Sequence, residues 1–162
     1  MTKNYKYYFE KSGEKVNNNL DLPKTILTKP FIKWNNINSV PEIVILKLLC
    51  KKFNLDGFWV DTFHKKIRYT LDNYRNINDF PAEIKNKIEK IKKKNNNKIS
   101  GCWDLILYDK SGNIKFVEIK GIPSKDKIRK TQLNWYNQCK KTGFNDKNFI
   151  RVEWDFKKGD EK

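Results

Sequence analysis

Cys102-Trp103-Asp104-Leu105-Ile106-Leu107-Tyr108, then Asp109-Lys110-Ser111-Gly112-Asn113, then Ile114-Lys115-Phe116-Val117-Glu118-Ile119-Lys120-Gly121 is the stretch that decides the fold. Two apolar runs flank a short polar segment carrying one glycine, the pattern of a β-hairpin. Gly112 suits the left-handed third position of a three-residue hairpin loop. Asp109 then pairs with Asn113, and counting outward sets Asp104 opposite Glu118. Side chains two apart share a face, so Lys120 joins them.

On the C-terminal side, a helix is predicted over about 126–142. Ile128, Gln132, Trp135 and Cys139 lie on one stripe of it, and Gly143 ends it. Gln132 is the polar member of that stripe. A buried amide needs partners, so Gln132 is expected to face an active site or a backbone edge. Residues 149–156 alternate as a last strand, and 157–162 are expected to fray.

On the N-terminal side, Ile84, Ile88 and Ile91 recur at helical spacing among lysines, predicting a basic helix from Pro81 to about Lys94. The stretch 80–98 has the character of an insertion, either a solvated flap or a phosphate-contacting element. Strands are predicted over 57–63 and 67–71, with a polar loop over 72–79. Ser39-Val40-Pro41-Glu42 has the form of a capping box opening a largely apolar helix to about Phe53. Residues 1–38 are polar and Asn-rich. Tyr5, Tyr7 and Phe9 alternate there as an edge strand would, and the segment is expected to be an arm packed on a domain spanning 39–156. The order of elements argues for an α/β domain with a central mixed β-sheet flanked by helices.

Composition narrows the function. The 162-residue chain suits one domain. It carries 35 Lys and Arg against 19 Asp and Glu, a net charge of +16. Such a surface suits a polyanion, whether DNA, RNA or an anionic membrane, although a Lys/Asn/Ile-rich composition also raises basicity. No apolar run is long enough for a membrane span, and the N-terminus lacks the apolar stretch of a secretory signal. Cys50, Cys102 and Cys139 are too scattered for a disulfide framework or a metal knuckle. They argue for an intracellular, reducing compartment: the cytoplasm, or the nucleus or a viral factory in a eukaryotic host. The single histidine, His64, makes a histidine-rich zinc site or a Ser-His-Asp triad improbable and reads as structural.

The hairpin carries the chemistry. Two carboxylates on one face repel, and either a shared proton or a hard divalent cation relieves them. Mg²⁺ takes oxygen ligands and keeps waters that a substrate phosphate can replace. The Ile119 carbonyl, between Glu118 and Lys120, is a further candidate ligand. Lys120 could orient or deprotonate a water, or neutralise charge on phosphorus. The competing reading is a surface ion-pair ladder, against which stands the cost of charges in an apolar strand.

Asp104-Leu105 followed by Phe116-Val117-Glu118-Ile119-Lys120-Gly121 resembles the PD-(D/E)xK nucleases. The continuation through Asp126, Gln132 and Trp135 is similar to their VRR-NUC branch, over about residues 40–156. The resemblance implies a restriction-endonuclease-like core, with Asp104 and Glu118 as metal ligands and Lys120 as catalytic lysine. It also implies Gln132 in the active site and Glu42 as a metal-site acid, a role that competes with the capping box. Trp103 stands where the family has proline, and two extra residues lie between Gly121 and Asp126. The activity implied is that of an endonuclease using Mg²⁺, with Mn²⁺ substituting, on double-stranded or branched DNA. A role in repair or on Holliday junctions would call for a homodimer. Lys125, Lys127, Arg129, Lys130, Lys92, Lys93 and Lys94 are candidate phosphate contacts. The alternatives are a sequence-specific restriction or homing enzyme, a catalytically inactive nucleic-acid-binding domain, and a membrane-surface protein resting on the basic helix alone.

Overall fold

The computed structural model describes residues 3–13, 22–122, 125 and 127–158. Asp126, in the predicted start of the last helix, and residues 159–162 of the tail lie outside them. The N-terminal part comprises β1 (Lys3–Lys11), α1 (Lys24–Leu27), β2 (Ile32–Trp34), β3 (Ile37–Ser39) and α2 (Pro41–Phe53). Then come β4 (Asp56–Asp61), β5 (Lys66–Arg68), β6 (Tyr74–Asn76) and α3 (Ala82–Lys94). The last part is β7 (Leu105–Tyr108), β8 (Ile114–Gly121), α4 (Lys130–Lys141) and β9 (Phe149–Phe156).

Among the described residues the strands form one mixed sheet in the order β3-β2-β1-β9-β8-β7-β4-β5-β6. β9 runs parallel to both β8 and β1, and the remaining pairs are antiparallel. This is the α/β, restriction-endonuclease-like architecture, a central mixed sheet flanked by helices. Alternation along β8 divides the core. Val117 and Ile119 pack with α2 through Val44, Ile45 and Leu49. Phe116 packs on the other side with Ile84, Ile88 and Ile91 of α3 and Trp135 of α4. The three α3 isoleucines are fully buried, each contributing roughly 1.5–3 kcal/mol. The segment expected as an insertion therefore supplies part of the core, and its lysines face outward.

The hairpin register is the predicted one: Leu105 pairs with Val117 and Tyr108 with Ile114, so Asp104 lies opposite Glu118. Gly112 has φ +81°, and the Asp109 N–H donates to the Asn113 carbonyl at 3.2 Å. Several expectations are corrected. β1 lies between β2 and β9, inside the sheet, where Tyr5 packs edge-on against Phe53 of α2. The polar stretch 72–79 contains β6, whose exposed residues pair with β5. The last helix begins at Lys130, four residues later than its stripe suggested. The first capping residue of α2 is Val40. Ser39 Oγ is buried and makes no hydrogen bond, so the capping box does not form.

Candidate active site

Asp104 immediately precedes β7, and its carbonyl still accepts from the Val60 N–H at 2.7 Å. Its carboxylate crosses the hairpin, where Oδ2 accepts from the Ile119 N–H at 2.8 Å. Glu118 and Lys120, two apart on β8, point to the α4 side of the sheet. They are 1% and 4% exposed, so neither belongs to a surface ladder. Lys120 Nζ lies 2.8 Å from Glu118 Oε1.

Gln132 closes this arrangement from the first turn of α4. Its Nε2 donates to Glu118 Oε1. Its Oε1 accepts from Lys120 Nζ at 3.1 Å and from the Arg129 N–H at 2.8 Å. One amide thus caps its own helix and joins the lysine to the glutamate. Gly101 and Trp103 seat that helix. The Trp103 indole N–H donates to the Gln132 carbonyl at 3.2 Å. Gly101 has φ +81°, and a Cβ there would stand 2.1 Å from the Thr131 carbonyl oxygen. The Trp103 that replaces the family's proline therefore ties the Asp104 loop to α4.

Glu42 approaches from the opposite layer, in the first turn of α2. Its Oε1 takes a 2.8 Å ion pair from Lys29, just after α1. A cleft of about 370 Å³ opens here, with Lys29, Glu42, Asp61, Phe63, Asp104 and Arg129 among its lining residues. A larger cleft of about 510 Å³, between β1 and the β2–β3 turn, holds none of the four hairpin and α4 residues. Of the four, Asp104 alone is among the residues lining the smaller cleft, together with Glu42 and Asp61.

Burial pushes the Asp104 carboxyl well above the usual carboxylate range. Glu118 and Glu42 push in the same direction, against the Ile119 N–H and Lys120. Burial likewise raises Glu118, and Lys120 and Gln132 offset it only in part. Burial works against the Lys29 ammonium, but Glu42, Asp104 and Asp61 more than compensate, leaving its pKa raised. Acids held this way gain from a cation.

The donors fit a hard divalent cation in part. Glu118 Oε2 and Glu42 Oε2 are both buried without a hydrogen-bond partner, and such atoms call for one. Asp104, Glu118 and the Ile119 carbonyl supply oxygen donors of the kind Mg²⁺ takes. Among the described residues, however, no group of three or more His, Cys, Asp or Glu side chains is gathered closely enough to hold a metal. The third acid, Glu42, is held by Lys29 instead.

A profile of the VRR-NUC domain matches residues 65–153, more than half of the chain. The chain belongs to the VRR-NUC family. VRR-NUC is a nuclease domain of the PD-(D/E)xK superfamily, so the protein is a nuclease, a hydrolase acting on nucleic acid. Searches of curated proteins and of solved structures each found no match. The VRR-NUC span contains Asp104, Glu118, Lys120, Gln132 and all of α3, whereas Glu42 and Lys29 lie N-terminal to it. Among the described residues, no helix is long and apolar enough to cross a membrane.

The candidate phosphate contacts divide. Arg129 lines the cleft, and Lys125, Lys127 and Lys130 are exposed in the same segment. Lys92, Lys93 and Lys94 sit at the far end of α3 outside the cleft lining, where Lys92 lies 3.6 Å from Glu89. The sequence reading did not single out Lys29, Asp61, Phe63 or Gly101. Only Gly101 carried a local signal, a glycine three residues before the key aspartate. His64, read as structural, lines the cleft beside Asp61.

Proposed function

We propose that this VRR-NUC nuclease is a divalent-metal-dependent DNA endonuclease selective for branched, flap or junction DNA. The buried Glu118–Lys120–Gln132 network beside Asp104 carries the reading. Mg²⁺, or Mn²⁺ in its place, would be held by Asp104, Glu118 and the Ile119 carbonyl, with Glu42 nearby. When bound it would polarise the phosphoryl oxygen and lower the pKa of a water. Lys120, ion-paired with Glu118 and held by Gln132, orients that water and balances charge on phosphorus. The bond from water oxygen to phosphorus forms as the bond to the 3′ oxygen breaks. A proton goes to that oxygen, leaving a 5′ phosphate. Arg129 and the exposed Lys125, Lys127 and Lys130 hold the backbone alongside. Resolving a four-way junction would take two copies of the chain.

The test is cleavage of labelled four-way-junction, flap, linear duplex and single-stranded DNA in Mg²⁺, Mn²⁺ or EDTA. Asp104→Ala and Lys120→Ala are run beside the wild type. Metal-dependent cutting of branched DNA, lost in both variants, is the expected result. Salt-sensitive binding without cutting under any metal would favour a catalytically inactive binding domain.

A further inference from the structure

The turn between β4 and β5 presents Phe63 with 76% of its surface exposed, against 51%, 50% and 48% for Tyr8, Leu133 and Tyr74, the other exposed large apolar residues among those described. A lone exposed ring is ordinary on a protein surface. Its mounting and its position are not. Asp61, buried at the end of β4, binds the turn from both carboxylate oxygens. Oδ1 accepts from the His64 N–H at 3.2 Å, and Oδ2 lies 2.7 Å from His64 Nδ1. Arg68 Nε donates to the same Oδ2 at 2.8 Å, and its Nη1 donates to the Leu71 carbonyl at 2.8 Å. His64 Nε2 is 2.6 Å from Thr25 Oγ1, tying the turn to α1. Polar bonds anchored on the buried Asp61 and Arg68 thus fix a turn whose tip meets the His64 ring. That contact is edge-on, at 77° and 4.9 Å between centroids. The tip lines the cleft that Asp104, Glu42 and Arg129 also line.

We propose that Phe63 is a stacking platform for an unpaired nucleobase beside the scissile phosphate. This rests on the nuclease reading of the cleft. The strongly basic chain draws a polyanion to that surface. Aromatic faces take any unstacked base, because every base has a π-face. In a continuous duplex each base is already stacked on both sides. Flaps, nicks and branch points offer a free base face, and Phe63 is placed to take it. The turn thereby favours DNA with a single-stranded or unstacked nucleotide at the cleavage point.

The test is a double-mutant cycle on binding, free of catalysis. Wild type, Phe63→Ala and Phe63→Trp are bound to flap DNA in EDTA at fixed salt and followed by anisotropy. Single abasic sites are scanned through the flap and branch point. At one position, loss of the base weakens wild-type binding roughly 5- to 150-fold, leaves Phe63→Ala unaffected, and weakens Phe63→Trp as it does wild type. Additive effects of Phe63→Ala and the missing base at every position overturn the proposal, as does unchanged binding by Phe63→Ala. Failure to bind any flap overturns it too. A protein that shows the coupling but cuts nothing in metal keeps the platform and loses the nuclease proposal. One that cuts without the coupling does the reverse.

Discussion

Lys29 Nζ stands 2.8 Å from Glu42 Oε1, placing an ammonium among Glu42, Asp104 and Asp61, the acids that border the cleft. The protein's own cation therefore sits where a metal would have to recruit Glu42. Lys29→Met is expected to lower the stability of EDTA-treated protein by about 1 kcal/mol, since the pair is only partly buried. It is also expected to enlarge the rise in Tm on adding Mg²⁺. Scanning fluorimetry with and without Mg²⁺ checks both. An equal Mg²⁺ shift in the two proteins would separate Lys29 from the metal site.

Gln132 aligns Lys120 with Glu118 and caps α4 in the same gesture. Gln132→Ala is expected to reduce kcat about 10- to 100-fold, as loss of a group that orients catalytic residues commonly does. KM should change little, because the amide is buried. Single-turnover cleavage of a flap substrate measures this; a change confined to KM would place Gln132 in binding instead.

Asp104 and Glu118 both have pKa values raised by burial. A carboxyl that is harder to ionise folded than unfolded costs stability once it ionises. Without metal, stability therefore falls as pH rises from the unfolded carboxylate range near about 4 and levels off above the raised folded values. Asp104→Asn is expected to flatten this slope and to be the more stable protein in EDTA at pH 7. Urea denaturation from pH 4 to 8 tests it, and parallel curves for the two proteins would refute it.

Gly101 has a positive φ and no room for a Cβ, which would meet the Thr131 carbonyl at 2.1 Å. Gly101→Ala must shift the first turn of α4, at a cost above about 1 kcal/mol. Gln132 lies in that turn, so activity is expected to fall further than stability. Chemical denaturation and cleavage rates on the same preparation compare the two losses. A variant of wild-type stability would show that the loop yields instead of the helix.

How much was legible depended on the range of the interaction. The Asp109–Asn113 turn is local, and side chains alternate along a strand, so the hairpin register followed from counting. β9 and the bounds of α2 were equally plain, since periodicity and apolar runs mark them. β1 was misplaced at an edge because its alternating pattern is silent about which strand it joins; β9, far along the chain, takes it in parallel. β6 carries no apolar signal, and its backbone pairing with β5 makes it a strand. Ser39-x-x-Glu42 had the right spacing for a capping box, but Lys29 claims the glutamate from outside the helix.

Turn chemistry and the two-residue period of a strand were enough to set Asp104, Glu118 and Lys120 on one face, because each is tied to the others within a single hairpin. Tertiary packing decided the rest. It brought the Gln132 amide between Lys120 and Glu118, held Glu42 against Lys29, and set Phe63 in the lining of the cleft that Asp104 also lines. Those relationships join segments from different layers of the fold, and no local pattern encodes which layers meet until the core is packed.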